Sequence, residues 1–120
     1  MSLEELINLQ KEFDGKHSGR FEWDSKITDS NIEMLEFLLV SLTGEVGEFA
    51  NIVKKIARGD FELEEVKDNL REELTDIFIY LMKLSYQLDI DLEESYLNKK
   101  KKNEERFTSY EKDNTKEDAD

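Results

Sequence analysis

Apolar residues recur along most of this chain at alternating steps of three and four. One run reads Leu35, Leu38, Leu42, position 45, Phe49, Ile52, Ile56; a second reads Leu63, Val66, Leu70, position 73, Ile77, Tyr80, Leu84. Such steps put one face of an α-helix against a core. Each run is interrupted once, by Glu45 and by Glu73, where a Leu is expected. A shorter stripe (Leu3, Leu6, Ile7, Leu9, Phe13) predicts a first helix from Leu3 to about Asp14. Gly15 to Thr28 is a polar connection with Phe21 and Trp23 embedded in it. Ser30 and Glu33 form a capping-box pattern that opens a second helix. It runs to about Arg58, with Gly59 as its stop. A third helix spans about Glu62 to Leu88. Asp91 and Glu94 signal the start of a fourth, ending near Phe107. Residues 111–120 carry no apolar periodicity beyond Ala119 and predict an acidic disordered tail, leaving 1–110 as the folded domain. No β-type alternation or internal repeat competes. The expected fold is all-α: an antiparallel bundle of four main helices around a central hairpin of helices two and three.

Composition narrows the classes. At 120 residues the chain supports one domain with a modest core. It has no Cys, which excludes disulfides and thiolate metal sites, and no Pro. No apolar stretch approaches the roughly 20 residues that cross a bilayer, and no signal peptide is visible, so a cytoplasmic protein without membrane partners is expected. The net charge is −13, from 30 acidic and 17 basic residues. Nucleic-acid polymers are therefore poor partners, because phosphate contacts need clustered cations. An anionic substrate would need a cation to bridge it to this surface.

The interrupted stripes supply that possibility. Glu45 and Glu73 each have a second carboxylate three residues later, Glu48 and Asp76, on the same side of the helix. In an antiparallel hairpin, paired residues have numbers of constant sum. The midpoints of Glu45 with Asp76 and of Glu48 with Glu73 coincide, just past Gly59. All four carboxylates are then expected at one level of the hairpin. The plain alternative is that both Glu residues sit at the seam's edge and face water. If they converge, the clustered negative charge calls for one or two divalent cations. Oxygen-only ligands favour Mg²⁺ or Mn²⁺ over Zn²⁺. A di-iron bundle site needs Glu-x-x-His motifs, and the only histidine, His17, lies outside both clusters.

Lys99, Lys100, Lys101, Lys102, Asn103 and Arg106 form a basic run on the fourth helix. It reads either as a solvated face or as a phosphate-binding surface. Lys54 and Lys55 either add to it or complement the end of their own helix. Tyr80 lies one turn past Asp76, and Trp23 lies in the first connection. Each is either core or a platform on which a nucleobase stacks.

At these residues the chain resembles the all-α nucleoside triphosphate pyrophosphohydrolases of the MazG type. The shared pattern is Glu-x-x-Glu on one helix, Glu-x-x-Asp on the next, and a Lys/Asn/Arg set on the last. It covers about Asn31 to Phe107. The variant Gly44-Glu45-Val46-Gly47-Glu48 most resembles the dCTP pyrophosphatase branch. The chain departs from that branch at Lys54 and Lys55, where its members carry a Trp. The resemblance implies hydrolysis of an NTP or dNTP, a pyrimidine or modified dNTP among the candidates, to NMP and pyrophosphate by water attack at the α-phosphorus. It implies Mg²⁺, or Mn²⁺, on Glu45, Glu48, Glu73 and Asp76. It also implies phosphate contacts from Lys99, Lys102, Asn103 and Arg106, and a water-orienting Glu45 or Glu72. Trp23 and Tyr80 are the candidate base contacts. Family members are homodimers or homotetramers. Apolar positions on further sides of the central helices (Leu39, Val46, Val53; Leu74, Phe78, Leu81, Leu88) agree with burial in an oligomer. The competing class is a non-catalytic helical module that keeps the fold for assembly or regulation.

Overall fold

The computed structural model of the chain describes the backbone of residues 1–19, 22 and 24–119, and side chains up to Glu111. Four α-helices follow in order: α1 Leu3–Lys16, α2 Ile32–Ala57, α3 Lys67–Gln87 and α4 Leu92–Ala119. Short 3₁₀ turns, Asp29–Asn31 and Leu63–Val66, precede α2 and α3. No strand occurs among the described residues, as the periodicity requires. None of the described helices is long and apolar enough to cross a membrane. The chain divides into two compact units, Met1–Asp89 and Ile90–Asp120.

Within the first unit α2 and α3 pack on each other, and α1 packs on α3. The two stripes form the α2–α3 contact. Leu38 is buried, and Leu35, Leu42, Phe49, Ile52, Ile56, Val66, Leu70, Ile77, Tyr80 and Leu84 are half-buried. Leu63 alone leaves the stripe and is exposed. It sits in the 3₁₀ turn, whose three residues per turn rotate it out of the α-helical register. At the far end of α2, Gly59 takes φ +89°. Its N–H donates to the Ile56 carbonyl (3.0 Å) and that of Asp60 to the Lys55 carbonyl (2.9 Å). This pair of bonds ends the helix and turns the chain toward α3.

Three details differ from the sequence expectation. The capping box forms at Thr28 and Asn31, not Ser30 and Glu33. Asn31 Oδ1 accepts from the Thr28 N–H at 2.6 Å, and its Nδ2 donates to the Lys26 carbonyl at 2.9 Å, so Asn31 is committed before Glu33 can reach back. On α1 the protected face is Leu3, Leu6, Ile7, Gln10 and Asp14, while Leu9 and Phe13 are exposed. That face has the proper three-and-four spacing, but its last two members are polar. Finally, α4 continues through Ala119, past Phe107 and into the stretch expected to be disordered. No Gly or Pro follows Leu92 to stop it. Its predicted start holds: the Glu94 N–H donates to Asp91 Oδ1 at 3.0 Å.

The connection before α2 is fastened to the end of α3. Ile27 is buried, and its N–H donates to the carbonyl of fully buried Gln87 at 2.8 Å.

Candidate metal and nucleotide site

Glu45 on α2 and Glu73 and Asp76 on α3 each bring one carboxylate oxygen within 4.8 Å of the others. The helical stripes carry Glu45 and Glu73 there, since each sits at a seam position, and Asp76 follows Glu73 by three residues on the same side of α3. All three are half-buried, whereas Glu48 is exposed. With every carboxylate ionised, Glu45 Oε2 and Glu73 Oε2 lie shielded from solvent with no hydrogen-bond partner among the described residues. Buried acceptors without donors are costly, and a shared proton relieves the cost. Glu73 is accordingly pushed up to about 7, first by hydrogen bonding with Glu45, then by burial, then by the hydrogen bond and charge of nearby Glu48. Glu48 therefore belongs to the same electrostatic cluster, although its oxygens fall outside the tight triad. An arrangement that holds a proton for want of positive charge suits a divalent cation, and an all-oxygen donor set suits a hard one. Glu45, Glu73 and Asp76 would hold it, with Glu48 at the solvent side.

A cleft of about 360 Å³ opens beside the triad, lined by Gln10, Phe13, Glu45, Asp76, Ile79, Tyr80 and Lys83. That volume lies within the range of small-molecule sites. Tyr80, one of the two expected base contacts, is among the lining residues. Trp23, the other expected base contact, and Phe21 lie outside the described residues. Glu72 is exposed and is not part of the triad.

Sequence reasoning missed a buried polar cluster that adjoins the cleft through Gln10 and Lys83. Asp14 is 2% exposed. It accepts hydrogen bonds from Gln10 Nε2 (2.9 Å) and from the Tyr86 hydroxyl, and pairs with Lys83 Nζ at 3.3 Å. Lys83 Nζ also sits 5.5 Å from the centre of the Tyr80 ring. Burial, followed by the hydrogen bond to Asp14, raises the Tyr86 phenol well above its ordinary range. The signal was present in the sequence: Leu3, Ile7, Gln10 and Asp14 continue a helical stripe into polar residues, as Glu45 and Glu73 do.

In the second unit, Lys99, Lys100 and Asn103 line a shallow pocket with Tyr96, Glu104 and Phe107. Arg106 holds its guanidinium 5.1 Å from the centre of the Phe107 ring. Lys102 is exposed, and Lys100 pairs with Glu104 at 3.7 Å.

The model of the MazG nucleotide pyrophosphohydrolase domain matches residues 34–109, which include the triad, Tyr80, Lys83 and the basic run. The chain belongs to this family. Among curated proteins it is 42% identical over 62 residues to the Gene 37 protein of Mycobacterium phage L5, covering 50% of this chain and 54% of that one. It is 30% identical over 110 residues to dCTP pyrophosphatase 1 of Rattus norvegicus, covering 88% of this chain and 59% of the relative. The chain thus spans somewhat more than half the length of these relatives. No solved structure matches it.

Proposed function

We propose that this chain is a divalent-metal-dependent nucleotide pyrophosphohydrolase that converts an NTP or dNTP to the monophosphate and pyrophosphate. The observation that carries this reading is the Glu45–Glu73–Asp76 triad, with two shielded oxygens that lack donors among the described residues, beside a cleft whose volume falls in the small-molecule range. Family membership and the likeness to a protein named dCTP pyrophosphatase 1 support it. Mg²⁺ is the proposed ion and Mn²⁺ a substitute. Its chemistry there would be neutralisation of phosphate charge and polarisation of the α-phosphoryl group. The chain's own groups position the reactants, which is most of what phosphoryl transfer asks of a protein. Water attacks the α-phosphorus, the bond to the bridging oxygen breaks, and pyrophosphate leaves. Glu45 and Glu72 are the candidates to orient that water. The place of Glu45 on the cleft wall and the exposure of Glu72 favour Glu45.

Lys99, Lys102, Asn103 and Arg106 are proposed to hold the β- and γ-phosphates, within one subunit or across two. Assembly as a homodimer or homotetramer is part of the reading. Leu39, Val46 and Val53 on α2, with Leu74, Phe78 and Leu81 on α3, are exposed in the single chain, and apolar faces of this kind suit association with another copy. We further propose residues 1–110 as the catalytic unit, residues 111–120 as dispensable, and the cytoplasm as the setting.

The test is product analysis across a nucleotide panel with and without Mg²⁺. NMP plus pyrophosphate is expected; NDP plus orthophosphate would place the attack at the γ-phosphorus instead. Glu48→Gln and Asp76→Asn should abolish turnover while the circular dichroism melt persists. A purified protein inert toward the whole panel would favour a non-catalytic module.

A further inference from the structure

The cleft beside the triad has two aromatic rings among its described lining residues, Phe13 on α1 and Tyr80 on α3. They are not equivalent. Tyr80 is half-buried, and the Lys83 ammonium sits 5.5 Å from its ring centre. Phe13 is 57% exposed. Its ring meets the His17 imidazole, with centres 4.5 Å apart and planes tilted by 46°, a contact that supports the phenyl ring and leaves much of it open.

An exposed phenyl ring by itself means little, because folded proteins show many apolar atoms to water. The place of this one gives it meaning. Phe13 lines the same cleft as Glu45 and Asp76, so a ligand held at the triad by its phosphates shares an enclosure with the ring. The helix is also fixed at the point where Phe13 leaves it. The next residue, Asp14, is 2% exposed and accepts from the Tyr86 hydroxyl of α3. The backbone under Phe13 is therefore anchored before any ligand arrives, which lowers the ordering cost of binding. One turn earlier on α1, Gln10 lines the same cleft. Its Nε2 donates to Asp14 Oδ1 at 2.9 Å. A carboxylate oxygen accepts, so this bond fixes which end of the Gln10 amide is nitrogen. An open π face with an oriented amide beside it suits a nucleobase, which is flat and apolar on its faces and hydrogen-bonding at its rim. We infer that Phe13 is the stacking residue for the base of the substrate, and that α1 forms the base-binding wall of the cleft. Every base has a π face, so the ring adds affinity without choosing strongly among bases. This inference rests on the proposed pyrophosphohydrolase reading and names the residue that binds the base within it.

The experiment measures kcat and KM for dCTP, dTTP and dATP with Mg²⁺ on the full chain, comparing wild type with Phe13→Ala, Phe13→Leu and Phe13→Tyr. Calorimetry follows the binding of α,β-imido dUTP with Mg²⁺ and, separately, of Mn²⁺ alone. Phe13→Ala should weaken analogue binding by roughly 5- to 150-fold, the worth of one base–aromatic stack. It should raise KM for all three nucleotides while kcat changes little. Phe13→Leu keeps apolar bulk without a π face and should lose nearly as much, whereas Phe13→Tyr should recover most of the loss. Mn²⁺ binding should be the same in all four proteins, a result that a merely structural role for Phe13 would not give. Should Phe13→Ala unfold, Phe13→Leu and Phe13→Tyr make the same comparison. Analogue binding unchanged in Phe13→Ala, binding restored by Phe13→Leu, or a loss that extends to Mn²⁺ overturns the inference and leaves the activity standing. A wild-type protein that turns over no nucleotide and binds no analogue overturns both.

Discussion

Metal binding at the triad should compete with a proton, and the competition has a worked size. Glu73 is pushed up to about 7 from an ordinary 4.5 by Glu45, burial and Glu48. The proton belongs to the cluster as a whole and is counted here at Glu73. Because the folded state holds it more tightly than the unfolded state does, the stabilisation is fully present below pH 4.5. It is lost as pH rises to about 7. A cation needs the ionised carboxylates, so its apparent affinity moves the other way. At pH 5.5 only about 3% of a group with this pKa is ionised, against about 90% at pH 8. Apparent affinity for Mg²⁺ or Mn²⁺ should therefore fall about thirtyfold between those values. The assay is calorimetric titration of Mn²⁺ into the metal-free protein at pH 5.5, 6.5, 7.5 and 8, with thermal melts in parallel. Glu73→Gln separates the cluster from general effects of pH: its apo melting temperature should exceed wild type above pH 7, and its metal response should be weak and nearly flat with pH. A wild-type affinity unchanged from pH 5.5 to 8, or a Glu73→Gln variant that binds as tightly as wild type, would refute the account of the triad.

Gly59→Ala should cost about 1–2 kcal/mol in urea unfolding, because φ +89° is strained for any residue with a Cβ; the space around Gly59 is open, so the cost comes from backbone conformation alone. Asp14→Ala leaves Lys83 and Tyr86 without their shared buried acceptor and should destabilise by about 3 kcal/mol, the low end for a broken buried pair because Lys83 keeps some solvent contact. Phe78→Glu/Leu81→Lys places charge on the exposed face of α3 and should yield monomers in light scattering; an unchanged mass would show that the assembly uses another face. Arg106→Ala should lower kcat/KM by roughly 10- to 150-fold if its guanidinium contacts a phosphate, and unchanged kinetics would leave it as a surface partner of Phe107.

What was legible in the sequence came from residues that violate their own local pattern. Glu45 and Glu73 stand in apolar stripes, and the stripes fix which way they face once α2 and α3 pack; helical periodicity and the turn at Gly59 led to an expectation of four converging carboxylates, of which three lie together and Glu48 stays outside. The same logic applied to α1 would have found Asp14. Instead, Phe13 and Leu9 completed an apolar stripe by residue type, although Leu3, Ile7, Gln10 and Asp14 complete it by spacing. Hydrophobicity alone could not choose, because the face of α1 that packs on α3 ends in polar groups whose partners, Lys83 and Tyr86, are some 70 residues away. Spacing on α1 marks Asp14 as core-facing, but long-range pairing of that kind leaves the partner unmarked: Lys83 alone reads as a solvated lysine. The helix ends were read less well for a different reason. Caps are set by single side chains, and Thr28 with Asn31 outcompetes Ser30 with Glu33 through the bond that Asn31 also makes to Lys26, a contact across five residues. Two kinds of polar intrusion thus share one physical origin. A polar residue at a core-facing position is retained only where something offsets its burial. For Asp14 that partner is Lys83; for Glu45 and Glu73 it is a proton, which is why the carboxylate pair, and not the ion pair, points to a ligand.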